Sequence, residues 1–440
     1  MKKVLFLVIG VIILFLCSSV SVEAGAYKAA GIGAKSLSRG GGIGAVDDYT
    51  AIFWNPAGLT QVEESHFTIE PHYLHLKQVD GNSVKNYDIA NYSNMQGDSF
   101  LRIYNTPGTA VEPAQFDKTS AIYSSISPTT SFGGSFEIKG FDFGLGIYTP
   151  AALSTDWECS TRDLVNNALI EADFFSGIKM TAYNISVAKE INSYLSIGAG
   201  VNYLTGEMEV EAEKRYSSQA APALDYRFDY KEEAEGDGVE GVFGVLFKPL
   251  SNLKIGGVYR SGAEMTLKGD SYYKHTALGI DESSDYTQDY DFPNSYGIGL
   301  AYEPVSELTL LLEWERTGWD RVKRDINYDL VGGAALIDVD IDWEWKDSNQ
   351  VRLGAEYRVS PELSARGSIA WDESPLSDET VSITNVVDID KIYLYLGLGY
   401  QRNNFQFNAG YAYGFGDDTI DGVDYEIILH NVMLGGSYFF

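Results

Sequence analysis

The stretch NFQFNAGYAYGF, residues 404–415, sets Phe405, Phe407, Ala409, Tyr411, Tyr413 and Phe415 on one face. Gln406, Asn408, Gly410, Ala412 and Gly414 fall on the other. Successive strand side chains point to opposite faces, so a period of two predicts a half-buried β-strand. Leu308, Leu310, Leu312 and Trp314 likewise alternate with Thr309, Leu311, Glu313 and Glu315. In Asp338–Lys346, Val339, Ile341, Trp343 and Trp345 alternate with Asp338, Asp340, Asp342 and Glu344, which predicts another strand. A soluble sandwich would place aliphatic residues on its apolar faces. Here the apolar faces are rich in Tyr, Trp and Phe while carboxylates recur opposite them, the pattern of a transmembrane barrel with aromatic girdles and a wet lumen.

The connections support closure. Short ones are expected at Lys139-Gly140, Ile191-Asn192, Pro249-Leu250-Ser251, Pro304-Val305-Ser306, Ser360-Pro361-Glu362 and Arg402-Asn403. Between them, long acidic loops are expected at about 79–121, 152–176, 211–237, 270–290, 373–386 and 416–424. Short periplasmic turns alternating with long extracellular loops are a barrel signature. Segments from Ser65 to Phe440 add up to fourteen strands, giving an all-β, antiparallel transmembrane barrel. The last strand ends on Val432, Leu434, Gly436, Tyr438 and Phe440 in one row, and Tyr438 and Phe440 are the candidate signal for the barrel assembly machinery.

Ahead of the strands, Lys2, Lys3 and the apolar run Val4–Cys17, followed by Val22-Glu23-Ala24, read as a signal peptide over residues 1–24. Residues 25–64 do not alternate and are rich in small side chains, which suits a compact hatch inside the barrel formed by 65–440. No later run of 18 apolar residues predicts a membrane helix. The 440-residue chain has 62 acidic and 32 basic side chains and a formal charge of -30, which argues against nucleic acid as a partner. Two cysteines, one of them in the signal peptide, exclude a disulfide framework.

Gly31-Ile32-Gly33-Ala34, Ala45-Val46-Asp47-Asp48 and Asn55-Pro56-Ala57 follow one another at the start of the expected mature chain. With Phe141–Trp157 (FDFGLGIYTPAALSTDW), Val258-Tyr259-Arg260-Ser261, Phe292-Pro293, Thr317-Gly318-Trp319 and Trp371–Pro375, this order resembles the outer-membrane hydrophobe transporters of the FadL type, which include long-chain fatty-acid and aromatic-hydrocarbon channels. The resemblance implies a monomeric fourteen-stranded barrel in the outer membrane of a Gram-negative bacterium, in contact with lipid and lipopolysaccharide. It implies passive uptake of a hydrophobic small molecule, caught by extracellular loops and released sideways at a kink in the third strand. Asn55, Pro56 and Ala57 would be the part of the hatch facing that kink. Tyr148, Thr149, Pro150, Ala151 and Ala152 would line the opening, and Pro150, lacking an N–H, suits an interrupted ladder. Phe53, Trp54, Glu207, Arg260 and Arg316 are candidates for the ligand path.

The chain departs from the family pattern at Ala152, where members commonly have Gly, and at Glu207, Glu209 and Glu211, where fatty-acid carriers place basic residues. Lumen-facing glutamates would disfavour a carboxylate, so a neutral hydrocarbon is expected over a fatty-acid anion. Arg260, Arg316, Arg321 or Arg324 would favour the anion if they point inward. The alternatives are a general diffusion porin for polar solutes and a surface adhesin barrel.

Other motifs carry less. Gly40–Ala45 matches a dinucleotide fingerprint without the strand that such a site needs before it. His72 and His75 fall on opposite faces of a strand, and Asp417–Gly422 lacks the twelfth-position glutamate of a calcium loop, so no metal or cofactor is expected. No nucleophile and base can be set on one face, so no enzymatic activity is expected.

Overall fold

The computed structural model describes residues 28–80, 115–116, 121–122, 129–163, 167–342, 344–376, 388–420 and 423–440. The expected signal peptide and most of the expected loops at 79–121 and 373–386 lie outside the described residues. Among those described, fourteen strands close into one antiparallel ring. They are β1 (His66–Asp80), β2 (Thr129–Ile138), β3 (Phe141–Asp163), β4 (Ala168–Asn192), β5 (Leu195–Ser218), β6 (Tyr226–Leu250) and β7 (Leu253–Arg260). The ring continues with β8 (Ser295–Val305), β9 (Leu308–Thr317), β10 (Ser348–Arg358), β11 (Leu363–Asp372), β12 (Lys391–Arg402), β13 (Phe405–Ile420) and β14 (Val423–Phe439). Each strand pairs with the next. β14 returns to β1 from His66↔Phe439 to Asp80↔Tyr425.

Parity sorts the side chains. Ile197, Val201, Phe243, Val245, Leu394 and Leu396 point out and are exposed, whereas Asn202, Glu240, Glu313 and Arg352 point in and are buried. An apolar exterior around a polar interior is the inverse of a soluble domain, and only lipid makes it favourable.

Several expected loops are strands instead. β3 to β6 run for 23–25 residues each, through most of 152–176 and 211–237. A tilted strand crosses a bilayer in about 9–11 residues, so more than half of each stands clear of the membrane. Polar composition suggested loops, but alternation continues there and the ladder follows it. The region 270–290 belongs to a hairpin, Ala263–His275 with Ile280–Phe292, which pairs with the outer part of β6 rather than with the wall (Lys268↔Glu235). Likewise 416–424 is the tip of the β13–β14 hairpin, with Asp421 and Gly422 outside the described residues.

The expected strand at Asp338–Lys346 is not in the wall. Only Val339–Asp342 pairs, with Lys323–Tyr328 in the outer sheet, and Glu344 breaks the run with a φ of 51°. Trp345 turns inward, edge-on to Trp319 at 5.5 Å. Trp343 is outside the described residues.

Residues 28–59 are almost wholly buried. They form α1 (Ala34–Arg39), α2 (Ala51–Trp54) and the start of a 3-10 turn, Pro56–Gln61. Ala34 N–H donates to Glu70 of β1, the Tyr49 hydroxyl to Ser131 of β2, Ile43 N–H to Glu313 of β9, and Asn55 to the Val245 carbonyl of β6. Ser368 of β11 donates back to the Leu37 carbonyl. A segment that touches every side of a closed ring lies inside it. Close approach needs glycine: a Cβ at Gly256 would sit 1.8 Å from the Ile43 oxygen, and Gly41, at φ +113°, would put one 1.8 Å from Glu313.

Candidate functional site: the break in the wall at the third strand

β2 and β3 pair from Ile138↔Phe141 to Phe132↔Ile147 and then part. Thr129, Thr130 and Ser131 go on pairing with β1, at His72, Pro71 and Glu70. On the other side, β3 stays joined to β4 with a bulge, Thr149 and Pro150 together facing Thr181 between Tyr148↔Ala182 and Ala151↔Met180. Bulges bend a strand and re-aim its edge. Among the described residues, no pair joins β2 to β3 beyond Phe132↔Ile147.

The amino-terminal segment occupies the vacated edge. Lys28 bridges Ala151, and Ala29 N–H donates to the Pro150 carbonyl at 2.8 Å. Tyr148, Pro150, Ala151 and Ala152 are all buried. The Tyr148 hydroxyl donates to Asn202 (3.0 Å), which donates to Glu240 (2.6 Å), so the bend is tied across β5 to β6.

Lys28 also anchors a cluster of charges inside the wall. Its ammonium donates to Glu315 at 2.8 Å and to Thr317 at 2.9 Å. Arg260 and Arg352 approach the same carboxylate at 3.3 and 3.6 Å. Burial pulls the Lys28 ammonium below its ordinary value, with Glu315 opposing. Nearer the other end of the segment, burial would raise the Asp47 carboxyl, but Lys35 and Arg39 outweigh it and hold it below the usual carboxylate range. A depressed carboxyl contributes stability above its unfolded pKa of about 3.9 and loses it only as pH falls further, so these ion pairs, all within the segment, hold Asp47 against the first helix at neutral pH.

Phe53 and Trp54 sit at the junction of segment and bend. Phe53 lies edge-on to Tyr148 at 5.5 Å, under the Arg260 guanidinium at 4.5 Å, and its carbonyl accepts from Arg260. Trp54 is fully buried, donates to the Ile32 carbonyl at 2.8 Å and lies beneath Arg352 at 5.0 Å. Both rings are packed parts of the interior.

This fold and its broken wall can be set beside known proteins. The family described as "Outer membrane protein transport protein (OMPP1/FadL/TodX)" matches residues 15–422. The chain belongs to this family. Outer membrane protein P1 of Haemophilus influenzae is 20% identical over 421 residues, covering 89% of this chain and 86% of its own length. A FadL homologue of Pseudomonas aeruginosa superposes with a TM-score of 0.72 at 15% identity, over 96% of this chain and all of its own (100%). The toluene transporter TbuX of Ralstonia pickettii gives 0.65 at 17% identity, over 93% and 98%. These likenesses share the barrel fold. As a member of the FadL family, the chain is an outer-membrane transport protein of a Gram-negative bacterium.

Against that family's pattern, three expectations need correction. Asn55-Pro56-Ala57 does not make its closest contacts at the bend of β3. Asn55 donates to the Ile43 and Val245 carbonyls and accepts from Ala57 N–H, and the loop lies against Gly198, Gly244 and Gly256 of β5, β6 and β7. Glu207, with Glu209 and Glu211, faces outward: these residues share parity with the exposed Val201 and Tyr203, and Lys231 pairs with Glu209 and Glu211 at 3.4 and 2.7 Å. Arg316 shares the outward face of Leu310, Leu312 and Trp314 and pairs with Asp347 at 3.1 Å. Arg260 alone of the expected basic residues is seen to point inward. Arg321 is exposed and the Arg324 side chain lies outside the described residues. His72 is buried, whereas the His75 side chain is not described. Tyr438 and Phe440 are exposed on the last strand, where Phe440 N–H donates to the Ser65 carbonyl.

Asn55 holds three backbone groups at once. Its replacement by alanine leaves them without partners and should cost about 1–3 kcal/mol. The urea midpoint of the gel shift between folded and unfolded barrel measures this. A change under about 0.5 kcal/mol, ordinary for surface positions, contradicts it.

Proposed function

We propose that the protein takes up hydrophobic small molecules across the outer membrane and releases them sideways into lipid where β3 leaves β2. The observation that carries this is the ladder that ends at Phe132↔Ile147 although both strands continue. An intact hydrogen-bonded wall bars sideways passage, because unpaired backbone groups are costly in lipid. Lys28 and Ala29 satisfy that edge from inside, so the wall tolerates the gap. Release into water would cost a hydrocarbon about 0.8 kcal/mol per CH₂, and release into lipid avoids this.

The interior supports the same reading. Residues 25–64 act as a hatch: the part described within the ring leaves little of the open water channel that a porin needs. Capture takes place at the outer rim, whose buried faces carry Phe228, Tyr230, Met265, Leu267, Tyr273 and Tyr286. The toluene transporters of Ralstonia pickettii and Pseudomonas putida that share this chain's fold point to small aromatic cargo. Because Glu207, Glu209 and Glu211 face outward, they give no reason to reject a carboxylate.

The experiment is accumulation of radiolabelled toluene, oleate and a disaccharide by cells that lack their own hydrophobe channels. Expression is expected to raise toluene or oleate uptake by about tenfold, a factor worth about 1.4 kcal/mol in barrier, and to leave the disaccharide unchanged. Disaccharide entry without hydrophobe entry would make the protein a porin.

A further inference from the structure

On the periplasmic side of the break in β3, the lipid-facing wall holds a groove of about 710 Å³. Its shape follows from two rungs of the ladder. One runs Val187–Ala199–Phe243–Tyr259–Tyr296, the next Lys189–Ile197–Val245–Gly257–Ile298. Ala199 and Gly257 are the low points of its floor, on either side of Phe243 and Val245 of β6, and Tyr259, Tyr296 and Ile298 rise around them.

Gly257 has no structural need to be glycine. A Cβ there meets nothing within 4 Å and its φ is not positive, whereas the neighbouring Gly256 is demanded by the Ile43 carbonyl inside. Its missing side chain leaves space on the lipid side alone. At one end of the groove Lys189 lies exposed, its ammonium 4.3 Å from the centre of the Phe141 ring. Lys189 precedes the short turn at Ser193-Tyr194, and short turns mark the periplasmic end.

We propose that this groove is a specific phospholipid site of the periplasmic leaflet, with an acyl chain on the Ala199–Gly257 floor and the phosphate on Lys189. Lipid tails already surround the wall, so transfer from water supplies no preference. Selectivity comes from close packing in the groove and from the ammonium–phosphate contact. The volume lies within the range of about 300–1,000 Å³ usual for small-molecule sites. The periplasmic position of the cation fits a phospholipid and not the lipid A of the opposite leaflet.

Native mass spectrometry of detergent-purified barrel, with dioleoyl phosphatidylglycerol as probe, tests this. Wild type retains the phospholipid, and Gly257→Leu lowers its retention about tenfold by filling the floor. Ala199→Leu, on the adjoining rung, gives the same loss and serves should the first variant fold poorly. Lys189→Gln weakens phosphatidylglycerol about fivefold but leaves dioleoylglycerol, which has no phosphate, unchanged. Equal retention by wild type and both leucine variants, no retention by wild type, or lipid A or toluene displacing the phospholipid would overturn the proposal.

Discussion

Tying Thr130 to Thr149 is expected to stop hydrophobe uptake while capture survives. Continuing the register of Phe132↔Ile147 would bring these residues opposite each other, on the two edges that part. Cysteines placed there in a Cys159→Ser background, joined by a short cleavable cross-linker, restore the missing rungs by covalent force. If cargo leaves between β2 and β3, cross-linking reduces toluene uptake at least about tenfold, since the alternative exit into water carries a cost that grows with every buried CH₂. Cleavage restores it, and equilibrium binding to the detergent-solubilised barrel is unchanged throughout. Uptake at the wild-type rate by fully cross-linked protein would remove the lateral route and leave the fold and family membership intact.

Glu315→Ala should be the most destabilising single substitution in the interior. The carboxylate faces Lys28, Arg260 and Arg352 at 2.8, 3.3 and 3.6 Å, and all four groups are buried. Removing one member of a buried ionic group leaves the others uncompensated and costs about 3–5 kcal/mol. Glu313 meets Arg352 at 3.7 Å but also accepts from Ile43 N–H, so it offsets only part of the loss. Lys28→Met leaves Glu315 still paired with Arg260 and Arg352, so a smaller loss is expected. The urea midpoint of the gel shift ranks the two. A fall below about 1 kcal/mol for Glu315→Ala would mean that the cluster does not hold the segment. Single-channel conductance gives a second reading, because loosening Lys28 frees the strap lying on Pro150 and Ala151 and should raise brief openings above the wild-type level.

The wall was legible because lipid and lumen impose opposite preferences at every second residue. Residues 404–415 and 308–315 show this directly, and both are wall strands. The same parity carried more than the charges suggested. Glu207, Glu209 and Glu211 continue the odd-numbered row of Ile197, Val201 and Tyr203, so their outward direction is written in the sequence, as is that of Arg316 after Leu310, Leu312 and Trp314. Strand extension beyond the membrane was hidden for a related reason: once water replaces lipid outside, polarity no longer separates strand from loop. Trp345 alternates with acids but turns inward to meet Trp319, a contact that local pattern does not encode. The cluster around Glu315 was out of reach because Lys28 lies 287 residues away in the chain. Pro150 marked the bend, yet only the register shows that the β2 side opens while the β4 side bulges and holds.

The ring is closed by its first and last strands, β1 with β14, and this imposes an order of events on assembly. Until β14 is in place there is no enclosed space, so residues 28–61, made before any wall strand, have nowhere to settle. Their helices, six and four residues long, are too short to persist alone. The part of the protein synthesised earliest can therefore find its long-range partners only after the ring has closed. A newly closed but still unfilled cylinder would be a transient pore, and the speed with which the segment docks would set how long the cell tolerates that leak.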